Sequence, residues 1–369
     1  MDFGVFNVLQ QRQRSKTSAQ VMDEALAQVR HAEELGFSRV WFVEHHFSNY
    51  SLCPSPLVMC AYAAGITKRI RMGTAVVLPA LYSPARLIAE IAMVDKLSDG
   101  RLDLGVGTGY QRYEFERFHV ELDDSRAMML EMLEMIEAGL SQPNFSFKGK
   151  FWEQPQTAIN VRPVQRPHPP IWMTAKDPAS LKRAAERGYT PFISSRFASI
   201  DELRPLRNNI DTVFQDCGVD TAHLPLGLLS FIGISRDPKE IDHYLDCSRY
   251  QQRIARALRE RREVMVDDYW VEEVPFANES TLEEAKQHVL AGNPEEVTEK
   301  LVRILKEIRP SHMTFYFQVG DIPLKQALES MRLFVEEVIP GVEKAFGKPI
   351  AEINRPTPLV PRTAQAAAE

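Results

Sequence analysis

The feature that most constrains this chain is an alternation, repeated eight times, between short apolar runs rich in β-forming residues and longer segments with helical periodicity. The runs lack alternation of apolar and polar residues, which is typical of parallel strands covered on both faces. They lie at residues 3–9, 39–43, 71–77, 102–106, 171–174, 191–194, 226–234 and 312–318. Eight such units without a break in composition predict an α/β protein built as a (β/α)8 TIM barrel.

The predicted helices carry recognisable end signals. Gly36 closes the first helix, and Asp177 followed by Pro178 is typical of a helix start. The helices are predicted at residues 21–35, 56–66, 84–97, 125–139, 178–187, 200–215, 238–260, 294–308 and 324–338. Two stretches exceed the minimal barrel, 141–168 after the fourth strand and 262–284 after the seventh. We expect insertions of this size to cap the site or to select the substrate.

The end of the chain differs in composition from the barrel. Beyond Glu352 it is rich in Pro, Thr and Ala, a composition that cannot bury one face against a core. We expect this part to be disordered or loosely docked. The predicted organisation is one barrel domain over residues 1–345, followed by a Pro/Ala-rich C-terminal tail over residues 346–369.

The charge balance bears on the class of partner. Lys and Arg number 44 against 50 Asp and Glu, which gives a net charge of −6 at pH 7, and the chain has no basic block. Nucleic acid and anionic membranes are therefore not expected as partners. The N-terminal residues lack a signal-peptide pattern, and no apolar stretch approaches the roughly 18 residues of a membrane span. We expect a cytoplasmic protein that acts on a small molecule.

The cysteines are few and dispersed. Cys53, Cys60, Cys217 and Cys247 show no CxxC spacing. This pattern favours buried, reduced thiols over a disulfide framework or a zinc site, so no metal is predicted.

Candidate chemistry in such a barrel lies just after each strand, at the carboxyl ends. Glu44, His45, His46 and Phe47 follow the second strand. A histidine there can exchange protons near neutral pH and donate a hydrogen bond to a bound oxygen species. Adjacent side chains on an extended strand point to opposite sides, so at most one of the two histidines should face a ligand. Loop histidines satisfied by backbone carbonyls would give the same pattern.

A glycine-rich segment, GVGTGY, follows the fourth strand at residues 105–110. Its GxGxG spacing departs from the dinucleotide-binding fingerprint, and no helical pattern begins before about Ser125. The glycines would let the backbone approach a flat ligand, while Thr108 and Tyr110 offer hydroxyl groups. An ordinary tight turn explains the same residues.

The segment after the fifth strand is suited to a phosphate. The helix that starts at Pro178 would present free backbone N–H groups, and Lys176 and Ser180 add a positive charge and a hydroxyl. An ordinary helix capped by Asp177 is the alternative. At the end of the third strand, small residues around Ala75 fit a place where a planar ring lies on the backbone, and ordinary packing explains the same residues equally well.

Taken together and in order, these segments resemble the bacterial luciferase family of reduced-flavin monooxygenases. The resemblance runs from Phe3 to about Val342 and is carried by WFVEHHF, GTAVVLP, SPARLIAEIAMVDKLSDGRLDLGVGTGY, SRAMMLEMLEMI and GNPEEVTEKLVRIL. It implies a barrel that binds reduced FMN (FMNH2), forms a C4a-peroxyflavin with O2 and oxygenates a small organic substrate. It also implies a separate NAD(P)H:flavin reductase as the source of reduced flavin, and a homodimer.

The resemblance also implies roles for individual residues. His45 matches the catalytic histidine, which would stabilise or protonate the peroxyflavin. Thr108 replaces a phosphate-binding arginine found in many members, and Lys176 replaces an acidic residue of luciferase, as if the positive charge had moved from one loop to the other. The insertion 262–284 corresponds to the mobile lid of luciferase. The matched cofactor positions are Phe6, Glu44 and Ala75 beside the isoalloxazine ring, and Lys176, Asp177 and Ser180 beside the phosphate.

Two other functions remain open on the sequence. Part of the superfamily consists of dehydrogenases and reductases that use the deazaflavin F420, in which O2 plays no role. Other relatives bind flavin without turnover, but the presence of His45 and an untruncated barrel favour an enzyme. Aromatic residues in the insertions favour an apolar or aromatic substrate.

Overall fold

The computed structural model describes residues 1–360 and contains a closed barrel of eight parallel strands, which confirms the predicted fold. The strands are β1 (Asp2–Asn7), β2 (Arg39–Phe42), β3 (Arg71–Thr74), β4 (Leu102–Val106), β5 (Phe145–Lys148), β6 (Glu153–Thr157), β7 (Ile171–Met173), β8 (Thr190–Arg196), β9 (Gly227–Ile234), β10 (Leu290–Gly292) and β11 (His312–Tyr316). The barrel strands follow one another in the order β1, β2, β3, β4, β7, β8, β9 and β11, and β11 pairs with β1 to close the ring.

Helices lie between the strands, most of them at the predicted places. They are α1 (Ser18–Leu35), α2 (Pro56–Ile66), α3 (Pro84–Leu97), α4 (Arg112–Arg117), α5 (Ser125–Ser141), α6 (Pro178–Arg187), α7 (Ile200–Asp216), α8 (Pro238–Glu260), α9 (Leu282–His288), α10 (Pro294–Glu307), α11 (Leu324–Leu333) and α12 (Ile339–Phe346). The expectation that no helix begins between the glycine-rich segment at residues 105–110 and Ser125 is wrong, because α4 begins at Arg112. Six residues are too few to show a helical period in the sequence.

The barrel interior is filled by aromatic side chains. Trp41 on β2 is fully buried and packs edge to face with Trp172 at a ring-centroid distance of 5.2 Å. Gly73 on β3 provides the space, because a Cβ atom there would lie 2.3 Å from the Trp41 ring. The strands are buried on both faces, as their unbroken apolar runs predict.

Charged side chains at the amino ends of the strands form an amino-end cluster in which every member has a partner. Asp103 accepts from Arg39 Nε at 2.9 Å and from Arg71 Nε at 2.8 Å, and Arg39 also binds Asp2. His312 binds Asp2 through Nδ1 and accepts from the indole N–H of Trp41 at Nε2, at 2.9 Å. Burial opposes ionisation of Asp103, but the two arginines lower its pKa below the usual range.

The insertion 141–168 forms an antiparallel hairpin of β5 and β6 that packs on the outside of the barrel against α3 and α5. None of these residues lines the large cavity at the carboxyl ends of the strands. The expectation that this insertion supplies substrate-selecting side chains is therefore wrong. The reason is that Phe145 is buried against α5 and anchors the hairpin to the outer wall.

The second insertion folds over the carboxyl ends of the strands, and we call residues 262–281 the lid segment, since α9 begins at Leu282. Asn49 attaches it: its side-chain oxygen accepts from Val271 N at 2.9 Å, and its own N–H donates to Tyr269 O at 3.1 Å. Salt bridges from Arg12 and Arg253 to Glu273 add two further attachments. Whether the lid segment moves stays a prediction.

The described part of the tail is attached to the barrel. Ile353 is fully buried, and the side-chain amide of Asn354 donates to Leu305 O at 2.9 Å. The tail therefore docks more firmly at its start than its composition predicts. Residues 361–369 lie outside the described residues. The prediction of disorder or loose docking at the end of the tail therefore stays a prediction, as does the domain boundary at residue 345.

Two smaller expectations can be compared with the structure. Cys53, Cys60, Cys217 and Cys247 are free and buried, as predicted. Within residues 1–360, no helix combines the length and the apolar character needed to cross a membrane.

Candidate active site

A cavity of about 500 Å³ opens at the carboxyl ends of the barrel strands. The strands and the loops that follow them place the lining residues, and every predicted site residue is among these. The predicted residues in the lining are Phe6, Glu44, His45, Ala75, Thr108, Tyr110, Lys176, Asp177 and Ser180. The peptide bond between Ala75 and Val76, in the same wall, is cis.

His45 is held by a carboxylate that the sequence did not single out. Its Nδ1 lies 2.9 Å from Glu114 Oε1, and the same oxygen accepts from the backbone N–H of His46 at 2.7 Å. Glu114, on α4, is fully buried. A hydrogen bond at Nδ1 fixes which ring nitrogen is available for chemistry. His45 Nε2 makes no hydrogen bond within residues 1–360, so this nitrogen is the one available to a ligand.

His46 does not line the cavity, in agreement with the prediction that only one histidine faces a ligand. Its Nε2 lies 3.0 Å from Glu44 Oε1, while the other oxygen of Glu44 accepts from Leu78 N and from the hydroxyl of Tyr82. Burial raises the pKa of Glu44, although these hydrogen bonds oppose the rise. Glu44 therefore forms a buried polar wall of the cavity.

Two tyrosine rings pack against the imidazole of His45. The ring of Tyr50 lies 4.6 Å and that of Tyr110 5.7 Å from the imidazole, measured between centroids. The Tyr110 hydroxyl donates to that of Tyr50 at 3.0 Å, and Gln251 Nε2 donates to the same oxygen. Burial raises the pKa of Tyr50 and of Tyr316, so both remain neutral hydrogen-bonding groups at pH 7.

The start of α6 forms another wall of the cavity. Asp177 caps the helix by accepting from Ser180 N at 3.0 Å, and Arg126 lies 3.5 Å from its other oxygen. Because Pro178 has no N–H and the cap occupies that of Ser180, Ala179 is left with the free N–H of this turn. The helix start thus offers fewer backbone donors than the sequence suggested. A phosphate here would depend on side chains, mainly those of Lys176, Arg126 and Ser180.

Positive charge exceeds negative charge in the lining. Lys176, Arg196 and Arg259 all line the cavity, and none of them forms a salt bridge with any residue between 1 and 360. Burial lowers the pKa of Lys176, and the guanidinium groups of Arg196 and Arg259 lower it further. The cavity is therefore suited to a ligand with more than one negative charge.

Comparison with known proteins identifies the family. The model of the luciferase-like monooxygenases matches residues 1–312. The chain belongs to the luciferase-like monooxygenase family. It is 37% identical over 348 residues to the Sinorhizobium fredii protein named Uncharacterized protein y4vJ, covering 94% of this chain and 99% of that one.

Other relatives of this luciferase-like monooxygenase carry functional names. The oxygenase component of the flavin-dependent trigonelline monooxygenase of Acinetobacter baylyi is 31% identical over 221 residues, 58% of this chain and 61% of that protein, which is less than two thirds of its length. The crystal structure of monooxygenase RslO1 from Streptomyces bottropensis superposes with a TM-score of 0.80 at 26% identity, covering 92% of this chain and 99% of that one.

Several cavity residues of this luciferase-like monooxygenase were missed by sequence reasoning. Arg196 and Tyr316 end barrel strands, so the rule that the carboxyl ends carry chemistry could have found them. Arg126 stands in the SRAMML motif, but nothing in that motif indicates that the side chain meets a ligand. Arg259 lies near the end of α8, and no local pattern indicates that its side chain reaches the cavity. Glu114, on the short helix α4, contacts His45 without lining the cavity itself.

Proposed function

We propose that this luciferase-like monooxygenase uses reduced FMN and O2 to oxygenate a small organic substrate, with His45 as the catalytic residue. The observation that carries the proposal is the cavity itself. It combines an imidazole whose Nδ1 is held by a buried carboxylate with a separate wall rich in cations. Proton transfer and binding of a phosphorylated cofactor are thus possible in one space.

The residues present fit FMN. Apolar and small side chains suited to a planar ring line one part of the cavity, among them Phe6, Ala75 and Phe192. The α6 wall offers Lys176, Arg126 and the Ser180 hydroxyl to a phosphate. When bound there, reduced FMN would supply the electrons that activate O2, which protein side chains alone do not provide.

The residues of the chain then have distinct tasks. Glu114 orients His45 so that Nε2 faces the cavity, where it can hold or deliver a proton. Tyr50 and Tyr110 pack against the imidazole with their rings, and the hydrogen bond between their hydroxyls holds the two rings together. The lid segment closes this region against water, which would otherwise compete for the reactive groups.

Two partners follow from the proposal. A separate reductase would supply reduced flavin, in line with a relative that is named as the oxygenase component of its system. A second copy of the chain would cover the exposed apolar side chains on α2 and α3, which are Val58, Tyr62, Met93 and Leu97. Sedimentation analysis would show the homodimer as a species of twice the mass of the 42.0 kDa chain.

Anaerobic titration followed by mixing with O2 tests the function. The protein should bind reduced FMN more tightly than reduced F420, and bound reduced FMN should reoxidise more slowly than free reduced FMN. A preference for reduced F420 together with insensitivity to O2 would instead show a deazaflavin dehydrogenase or reductase. Tight binding without any turnover of organic substrates would show a flavin-binding protein.

A further inference from the structure

Arg196 is an unassigned cation at the mouth of the barrel. Its guanidinium carbon lies 5.7 Å from the centre of the Tyr110 ring, on the side of the cavity where Tyr110 also meets His45. No carboxylate among residues 1–360 forms a salt bridge with it. A cation without a counter-charge, so close to the group proposed to be catalytic, indicates that the ligand supplies the missing anion.

The backbone directs Arg196 to this place. The pairing of β8 with β9 shifts register between Ser194 and Arg196, and Arg196 has a φ of 47°, in the left-handed region. Ser195 fixes the irregular turn, since its hydroxyl donates to Leu229 O at 3.1 Å and lies 2.8 Å from the hydroxyl of Ser230. Such bulges redirect side chains next to active sites, and a left-handed conformation at a residue other than glycine persists where the surroundings enforce it.

The α6 wall already contains cations for the phosphate of FMN. Lys176 lies in the turn between β7 and α6, and Ser180 lies on α6, whereas Arg196 ends the neighbouring strand β8 with its guanidinium over the ring of Tyr110. Arg196 is therefore available for a second anion, one that lies beside the tyrosines and His45.

A second cavity, of about 600 Å³, also borders Arg196 and lies between the start of α7, α9 and α10. Four carboxylates and four cations line it, namely Asp201, Glu283, Glu296 and Glu299 with Arg196, Lys286, Lys300 and Arg303, so its charges balance. The first cavity has more cations than carboxylates in its lining, which favours it as the place where an anion pairs with Arg196.

The rings that line the first cavity describe the rest of the ligand. Aromatic side chains form much of its wall, namely Phe6, Tyr50, Tyr110, Phe192 and Tyr316. Resting on the proposed function, we propose that the substrate is a small, planar organic acid and that Arg196 binds its carboxylate. A guanidinium pairs with a carboxylate through two parallel hydrogen bonds, which would orient the ring towards His45.

Matched acids and amides test this assignment. The protein with saturating reduced FMN is titrated anaerobically by calorimetry with benzoate against benzamide and with nicotinate against nicotinamide. The acid of each pair should bind at least about tenfold more tightly than its amide, as expected for a charge-assisted contact. Arg196→Gln should reduce this ratio to near one without changing the affinity for reduced FMN, and Arg196→Lys should keep part of the preference.

Lys176→Gln is the matched control, because it removes one cation from the α6 wall. It should weaken reduced FMN and preserve the preference for the acid. The assignment is overturned if the wild-type protein does not prefer the acids, if the preference survives Arg196→Gln, or if Arg196→Gln weakens reduced FMN as strongly as it weakens the acids.

The two proposals fail in different ways. Slow reoxidation of bound reduced FMN without a preference for acids would support the proposed monooxygenase activity and contradict the proposal that the substrate is an organic acid. The opposite result is a preference for acids that depends on Arg196 in a protein whose bound flavin does not react with O2. It would support the anion site at Arg196 and contradict the proposed monooxygenase activity.

Discussion

At the amino end of the barrel, Asp103 is enclosed and contacts Arg39 and Arg71, whereas at the carboxyl end Arg196 faces a cavity and pairs with no carboxylate of residues 1–360. Both ends belong to the same eight strands, and both contain arginine. A buried charge is tolerated only when a partner compensates for the water it has lost. Asp103 has its partners within the chain, which favours stability, whereas Arg196 has no such partner among residues 1–360, which favours the binding of ligands.

The largest expected effect separates these two ends by stability. Asp103→Ala leaves two arginines at the amino end without their shared partner and should lower the free energy of unfolding by about 3 to 5 kcal/mol. Arg196→Gln should change it by less than about 0.5 kcal/mol, because Arg196 forms no ion pair with residues 1–360. Chemical denaturation of both variants measures the difference. Equal losses would mean that Arg196 is as much a structural residue as Asp103.

The next effect concerns chemistry at the carboxyl end. His45→Ala should lower the oxygenated product formed per reduced FMN by on the order of 10²-fold, with hydrogen peroxide released instead, because a proton-transfer group is lost. Glu114→Gln should lower product formation less and change its dependence on pH. The reason is that the imidazole of His45 keeps its place but no longer contacts a carboxylate. His46→Ala, outside the cavity, is the control. If His45→Ala forms as much oxygenated product per reduced FMN as the wild-type protein, His45 has no catalytic role.

A smaller effect concerns the cofactor. Lys176→Ala should weaken reduced FMN about tenfold and leave reduced riboflavin almost unchanged, because a charge-assisted contact to phosphate contributes about 1.5 to 3 kcal/mol. Fluorescence or calorimetric titration of both flavins gives the ratio. If both flavins lose affinity equally, the phosphate does not bind at Lys176.

The smallest effect lies in the pH dependence of the amino end. Burial lowers the pKa of His312, and its Nε2 must stay unprotonated to accept from Trp41. The unfolded chain, with a histidine pKa of about 6.5, then binds the proton that the folded protein does not, so stability falls as pH drops below that value. The loss is at most about 1.4 kcal/mol per pH unit. In His312→Asn, the free energy of unfolding, measured by chemical denaturation, should depend less steeply on pH between pH 5 and about 6.5. An unchanged dependence would contradict a neutral His312 in the folded protein.

The barrel and much of its site were predictable because both depend on short stretches of sequence. A strand buried on both faces leaves an unbroken apolar run, and His45 and Lys176 follow such runs closely. Glu114 was missed because α4 is too short to show a period, and Arg259 because tertiary packing alone brings the end of α8 to the cavity.

The hairpin of β5 and β6 shows why an insertion is hard to interpret from sequence. Its length and its aromatic residues suggested a cap over the site, but those properties do not determine on which side of a helix the segment packs. Phe145 packs on the outer wall, and that contact, rather than the number of residues inserted, decides where the hairpin lies.

One contact of the lid segment has a consequence for the order of events in a turnover. Val271 is buried in an apolar cluster that also contains Tyr50, and Tyr50 packs against His45. If the lid segment opens so that a ligand can enter the cavity, Tyr50 loses part of its apolar surroundings. The imidazole of His45 then becomes exposed to water. Admission and reaction would then need different positions of Val271, so the enzyme would alternate between a state that loads and a state that reacts.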